Sequence, residues 1–572
     1  MPRSFVSTLL FLAACAPDPG DADTDVAPVV GCAPTTFKAS PACGTGGRAR
    51  GALIAGEGDG GYDAPLAAKA RRHDRLFRAL FSAQTGVNSE LTVPLEDANA
   101  RAAIDAFVAG DGWDFEAVTG RSVTDTVGMW TKVAGGYAGV GIAADAFRYG
   151  VLRDEGAPCA EVDEARAQVL AALEGLHRAS AITGVPGVIA RGYARNDADS
   201  AGSTVDTVPL FDDAGTPLPV EKNNGTWRAD NSGGLYPDYV WEDSCSRDML
   251  VGWAFGYGGA WEVIAQDPTI AGEVKAQMQA DAAAIARSLL TVQASGYDLE
   301  VRDADGRMTL NGALNENSID TVYLDGVQNG PYAMMSLGIL SALSMVAQDA
   351  EIEAALNDTL IAERRLHEIA RDRAYLVDFG NASNFSNYNM DFAAGILGER
   401  YLCDADARKA MAGAVDAGQY EIPGRERQPA EQGQTLYDLA AVLARMGGGA
   451  WWPAEGAVDQ GPLGRGLATL TEFPDAPFWA NAVENCDADE IAAGACLAVD
   501  GTPITLMPTL GRGDVLTATE PVPMRLRPAS NYNWRSNPYA VNGEGDGTSL
   551  YPGVDFRIAY WLGRWVTPQP RE

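Results

Sequence analysis

Three stretches of this sequence have no polar side to give to water. VAGGYAGVGIAADAF from Val133, MLVGWAFGYGGAW from Met249 and PYAMMSLGILSALSMVA from Pro331 are apolar around the whole helical circumference and rich in small residues. A helix of that kind has to be surrounded on all sides. None reaches the roughly 20 uninterrupted apolar residues of a membrane span, and charged segments flank them, so they read as interior helices of a large folded domain. Their glycines and alanines allow backbones to approach closely.

Each buried stretch is followed by an amphipathic one. In EVDEARAQVLAALEGLHRAS, Val162, Ala165, Val169, Leu173 and Leu176 share a face and Glu161, Asp163, Arg166 and Glu174 lie off it. GEVKAQMQADAAAIARSLL repeats the pattern with Val274, Met278, Ile285 and Leu289, and EIEAALNDTLIAERRLHEIA follows the third buried run. Such helices have one wet side. Inner helix, outer helix, repeated, predicts an all-α-dominated chain arranged as an (α/α) toroid; an open solenoid is the second choice, because no strict repeat motif is present. YDLEVRDADGRMTLNG reads as a small rim hairpin turning at Asp305-Gly306. Beyond residue 447 glycine and proline are frequent and periodicity is lost, which predicts long irregular loops. GVDFRIAYWLGRW near the end reads as the helix that closes the ring.

The N-terminus carries a different message. MPRSFVSTLLFLAAC has a basic start, a short apolar run and small residues before Cys15. This is the pattern of a signal peptide, and it resembles the bacterial lipoprotein signal, in which the cysteine is lipidated; an ordinary secretory signal is the alternative. The expected organisation is a signal at 1–14, lipidated Cys15 with an acidic, proline-rich tether at 15–45, and a single toroid domain over 46–572. The chain is then exported and held at the cell envelope, on its periplasmic or surface face, with the membrane touched only through the lipid. Eight cysteines suit an oxidising compartment. Cys32 with Cys43, and Cys486 with Cys496, are close enough to close small loops, whereas Cys159, Cys245 and Cys403 are too scattered to assign. No CxxC occurs and His73, His177 and His367 lie far apart, so no zinc site is expected. The formal charge of −34 repels phosphate backbones and excludes nucleic acid as a natural partner.

The chemistry-bearing residues gather just upstream of the buried helices. Trp130 and Lys132 precede the first; Arg191, Tyr193 and Arg195 follow in TGVPGVIARGYAR; Asp243, Ser246, Arg247 and Asp248 precede MLVGWAFGYGGAW. Asn329 and Tyr332 flank Pro331, and NASNFSNYNMDFAAGILGERY supplies Asn387, Tyr388, Asn389 and Asp391. For any single cluster, helix capping explains the Ser, Asp and Asn residues. It does not explain arginines at helix N-termini, where a cation is disfavoured, nor the aromatic company. Taken together, these types suit a concave site that holds sugar rings on aromatic faces and orients hydroxyls or carboxylates.

Glycoside hydrolysis needs two carboxyl groups. Asp248 and Asp391 are the candidates, each opening a different inner helix, with Asp243 in reserve. Elimination on a uronic polymer would instead use Tyr388 as base, with arginine or asparagine neutralising the carboxylate. Trp130, Arg191, Arg247, Asn329, Asn387 and Asn389 are the candidate substrate-binding residues, and Ser246 and Asp248 are expected to cap their helix while Arg247 looks into the cavity. No cofactor is expected. Acidic stretches from Glu57, Asn196 and Asn542 have oxygen ligands suited to calcium but lack EF-hand spacing, and read first as solvated loops.

TGVPGVIAR, SRD before VGWAFGYG, NYNMDFAAGIL and DFRIAYWLGRW resemble segments of an exported bacterial protein family that is itself similar to α/α-toroid glycoside hydrolases and polysaccharide lyases. The resemblance covers about residues 125 to 566 and implies the fold, while it carries over no catalytic residue. Fold is not function. The expectation is a carbohydrate-active enzyme of the hydrolase or lyase type, acting on a polysaccharide or oligosaccharide at the mouth of the toroid. The alternative is a non-catalytic binding or scaffold lipoprotein on the same fold.

Overall fold

A computed structural model of the chain describes Cys32 and residues 40–46, 50–197, 205–212, 214, 216, 218, 225–528 and 537–569. Cys15, the signal segment and most of the tether lie outside the described residues.

Helices alternate between two environments along the chain. The outer set is α1 (Ala64–Leu76), α3 (Cys159–Ala181), α5 (Gly272–Leu290), α7 (the succession Ala350–Ala354, Ala355–Glu363 and Leu366–Arg373), α9 (Ala405–Val415) and α11 (Gln460–Glu472). The inner set is α2 (Gly135–Asp154), α4 (Arg247–Ile264), α6 (Gly330–Ala347), α8 (Phe385–Tyr401), α10 (Thr435–Met446) and α12 (Val554–Trp565). In α3, Ala165, Val169, Leu173 and Leu176 are buried and Val162 packs against them, as the amphipathic pattern predicts. In α6 nearly every residue is buried. By length and composition α6 is apolar enough to cross a membrane, yet 89% of it is enclosed by the surrounding protein.

Inner helices pack in sequence: α2 on α4, α4 on α6, α6 on α8, α8 on α10, α10 on α12, and α12 returns to α2. Outer helices cover them, α3 on α2, α5 on α6, α9 on α8 and α11 on α10. The order is compatible with a helical, toroid-like fold, with the final helix joining the first inner one as its sequence suggested. Glycines make the inner contacts possible. A Cβ on Gly139 of α2 would collide with the backbone carbonyl of Gly252 in α4, and one on Gly338 of α6 with the Ala394 backbone in α8.

The strands differ more from expectation. The Asp305-Gly306 hairpin forms, with Glu300–Arg302 antiparallel to Met308–Ala313. Beside it, however, stands a seven-stranded antiparallel sheet. Its strands are β1 (Ser89–Thr92), β2 (Met129–Ala134), β3 (Gly192–Arg195), β4 (Trp227–Ala229), β5 (Tyr239–Glu242), β6 (Phe478–Glu484) and β7 (Asn542–Tyr551), in the order β6-β7-β1-β2-β3-β5-β4. The region beyond 447 is therefore not all irregular loop: it supplies α11, two of these strands and a three-stranded sheet over Ala495–Leu497, Pro503–Thr509 and Arg512–Ala518. Most strands of the large sheet are too short to show a period of two, and β1 pairs with β7 more than 400 residues away. The sheet has a consequence for the site. β2 runs directly into α2, β5 reaches α4 after four residues, and β7 reaches α12 after two. It therefore lies at the N-terminal ends of inner helices.

Two cysteine pairings correct the sequence reading. Cys32 bonds Cys403 and Cys43 bonds Cys159, while Cys486–Cys496 forms as expected and Cys245 is a buried thiol. Proximity in sequence misleads for Cys32 and Cys43 because each fastens the N-terminal segment to a different outer helix region. At the inner contact, Gly139→Ala is expected to cost about 3 kcal/mol or more, because the obstacle is backbone. Gly141→Ala is the control: its Cβ would meet only side-chain atoms at 3.7–3.9 Å, so higher helix propensity leaves stability equal or raised by about 1 kcal/mol. Urea unfolding of both variants checks the pair.

Candidate functional site

Five inner helices bring side chains from their first two turns to one place. Tyr137 comes from α2, Arg247 from α4, Tyr332 from α6, Asp391 from α8 and Tyr437 from α10. The Arg247 guanidinium lies over the Tyr332 ring, 4.7 Å from its centre, and its Nη2 is 3.5 Å from Asp320. Its Nη1 is buried and meets no partner. Asp391 is fully buried, at 0% exposure. Gln419 Nε2 donates to Asp391 Oδ2 at 2.7 Å, and Oδ1 has no hydrogen-bonding partner. Burial drives this carboxyl well above the ordinary aspartate range, with the Gln419 bond and the Arg247 charge pulling the other way. Burial thus favours the uncharged form of Asp391. The Tyr437 phenol is also pushed up, by burial first and then by Tyr388, Tyr137 and Asp391, and its ring stacks on Phe392 at 4.2 Å.

The rim beside α4 is a chain of charges. Ser246 occupies the N-cap position of α4, but its hydroxyl bonds no helix N–H. It donates to Asp248 Oδ1 and accepts from Arg191 Nη1, the latter at 2.6 Å. Capping by the Ser246 side chain is thus replaced by a link between two functional candidates. Arg191 Nε lies 3.9 Å from Glu242, which also takes Lys132 at 3.2 Å. Asp248 is half-buried and so retains access to solvent.

Other sequence candidates are occupied elsewhere. Asp243 accepts from Arg228 at 2.6 and 2.9 Å and from the Thr226 N–H at 2.9 Å, fastening β4 to the segment after β5. Trp130 is buried and donates its indole N–H to the Leu80 carbonyl at 2.8 Å. Asn329 is an N-cap: Oδ1 accepts from the Tyr332 N–H, and Nδ2 donates to the Ser318 carbonyl. Asn387 and Asn389 are half-buried in the first turns of α8. The Tyr388 phenol lies among Ser383 and Asp378, and burial raises its pKa beyond the ordinary tyrosine value. Of the acidic stretches considered for calcium, Asp59 accepts from the backbone N–H groups of Arg50, Gly51 and Gly56, and Asp546 from Thr548. The stretch from Asn196 lies partly outside the described residues.

Sequence reasoning passed over Tyr137, Gln419, Tyr437 and Asp438. The signal for the last two was present, since QTLYDLAAVL places an aromatic and an acid before an apolar run just as NYNMDFAAGIL does. Gln419 and its neighbour Tyr420 serve two carboxyls: Tyr420 donates to Asp438 Oδ1 at 2.5 Å and accepts from Arg465 at 2.7 Å. Burial pushes Asp438 up to about 7, against the pull of Tyr420 and Arg465.

No family model and no curated protein matches the sequence. Among solved structures, the chain is similar to a sugar epimerase from a ruminal bacterium, at 10% identity and a TM-score of 0.33, covering 76% of this chain and 88% of that one. It is also similar to a family 9 endoglucanase, at 11% identity and a TM-score of 0.37, covering 89% of this chain and 86% of that one.

The raised carboxyl sets a pH dependence. Between the ordinary value of 3.8 and about 7, unfolded Asp438 ionises while the folded form stays protonated. Its contribution to stability therefore falls as pH rises through that window, by at most about 1.4 kcal/mol per pH unit, and is flat above it. Asp438→Asn should lack this slope, read as the difference between wild-type and variant urea unfolding at pH 4, 5.5, 7 and 8.

Proposed function

We propose that the protein is a carbohydrate-active enzyme of the hydrolase type, built on an (α/α) toroid of six inner and six outer helices over residues 46–572, with its site at the N-terminal ends of the inner helices. The observation that carries the reading is the meeting of Asp391 with Arg247 and with Tyr137, Tyr332 and Tyr437 from separate helices. A carboxyl whose pKa is raised by burial is what a general acid needs. Arg247 and the tyrosines offer the donors and flat apolar faces that sugar rings require.

Asp391 would protonate the departing glycosidic oxygen, and Asp248 on the rim would act as the second carboxyl, oriented by Ser246 and Arg191. Substrate reaches Asp391 only when neighbouring side chains give way, since the carboxyl is sealed. Hydrolysis is preferred to elimination because burial makes the Tyr388 phenol harder to deprotonate, and a tyrosine base must give up that proton. Asp243, held by Arg228, is set aside as a reserve acid. We further propose that the protein is exported as a lipoprotein anchored through Cys15, facing the periplasm or the cell surface, with the lipid as its sole membrane contact. The basis is the sequence pattern around that cysteine. The second reading, a binding or scaffold lipoprotein without turnover, is favoured by the complete enclosure of Asp391.

Turnover on a panel of neutral and uronic polysaccharides, following reducing ends and unsaturated products together, separates the readings. The enzyme reading expects reducing ends without unsaturated products. Asp391→Asn should lower kcat by about 100- to 10,000-fold while leaving Tm intact, because an amide of the same shape replaces a carboxyl whose charged form burial disfavours. Asp248→Asn should lower kcat as well. Unsaturated products would turn the assignment to a lyase, and no turnover on any glycan would leave the binding protein as the answer.

A further inference from the structure

At the opposite end of the inner helices, a cavity of about 460 Å³ opens between the C-terminal ends of α8 and α10 and one face of α9. This is well within the range of small-molecule sites. Glu399, in the last turn of α8, forms part of its wall and is 5% exposed. Neither carboxyl oxygen has a hydrogen-bonding partner. A buried carboxyl in that condition costs free energy that a partner would recover.

The remaining charges around the cavity are already engaged. Arg445 is held by Asp416, Glu421 and Asp459 at 2.8 to 2.9 Å, and Lys409 lies 3.5 Å from Glu455. Arg408 donates to the carbonyls of Leu402 and Cys403 and lies over the Trp452 ring. Arg400, next to Glu399 in sequence, is turned to Glu262. Glu399 alone among the charged groups of this wall is left without a counterpart. Two helix C-termini, where backbone carbonyls favour a cation, face the same space, and Asp416 adds a second carboxylate to the wall.

We propose that this cavity binds a small molecule bearing a primary ammonium group, which pairs with the carboxylate of Glu399. A neutral hydroxyl would satisfy the hydrogen bonds but would gain nothing from the helix ends or from Asp416. In the free protein burial, helped by Asp416, pushes the pKa of Glu399 well above the ordinary range against the pull of Arg400, which favours the carboxylic acid. Binding therefore converts the carboxylic acid to a carboxylate, and its proton leaves to solvent. Affinity rises with pH up to the point where Glu399 ionises in the free protein or the amine loses its charge, whichever comes first. The site is independent of the mouth and of whatever reaction occurs there.

Isothermal titration of the full chain with putrescine, butylamine and glucosamine, beside butanol and glucose, tests this. Repeating it in buffers of different ionisation enthalpy counts protons. At least one ammonium compound should bind, releasing about one proton per molecule, while the uncharged counterparts do not. Glu399→Gln, which keeps the size and neutrality of the free-state side chain, should weaken binding at least about tenfold. Asp248→Asn should leave it unchanged, separating this site from the mouth. Equal binding by Glu399→Gln, equal binding of the uncharged compounds, or no binding of any ammonium compound to the wild type would each overturn the proposal.

Discussion

One carboxylate pins the inner helices together at their C-terminal end. Glu262 of α4, with its side chain 3% exposed, accepts from Arg400 and Tyr401 of α8 and from the Trp565 indole of α12. These are alternate inner helices, so a single side chain spans the arrangement. A second clamp joins the end of the chain to its beginning. Arg557 of α12 is 1% exposed and pairs with Asp74 of α1, at 2.7 Å, and with Asp145 of α2. Trp561 adds a bond to Asp74, and Gln168 of α3 one to Asp145. Buried charges are tolerated when their partners are complete, and breaking such a pair leaves an uncompensated charge worth about 3 to 5 kcal/mol.

The N-terminal end is built on the opposite principle. There Asp391 and Arg247 each keep a buried polar atom without a hydrogen-bonding partner, as Glu399 does at the other end. Local incompleteness inside an otherwise consistent fold is where function tends to lie. The sheet contributes to this contrast. Three of its strands deliver the chain to the first turns of α2, α4 and α12, so the positions of those turns are set by ladder hydrogen bonds as well as by helix packing.

The helices were legible because periodicity is local. A run apolar on every face, such as that of α6, declares its burial within 18 residues, and the outer helices declare theirs by one apolar stripe. The sheet was not legible, because most of its strands are only three to seven residues long and their partners are far away in sequence. The candidate site was legible only in part. Arg247 stood out as a cation where a helix disfavours one, and Asp391 as an acid opening an inner helix other than that of Asp248. Yet Asp243 looked identical in sequence and serves Arg228, and Asn329 serves its own helix. What separates them is the partner each finds in three dimensions. Gln419 could not be found at all, since an amide in a short turn carries no local mark of the carboxyl it meets.

The clamp at Arg557 ties residues 412 and 483 positions apart in the chain, and the Cys32–Cys403 bond spans 371. The Arg557 contacts cannot form until α12 has been made. Until α12 emerges, α2 shows a bare apolar flank and Asp145 lacks its counter-charge. A nascent chain of this kind therefore resembles an open clasp, sticky along both edges, and its hazard is pairing with the edge of another copy before its own last helix arrives. The sequence that makes the finished fold self-sufficient thus makes every shorter version of it dependent on being kept apart.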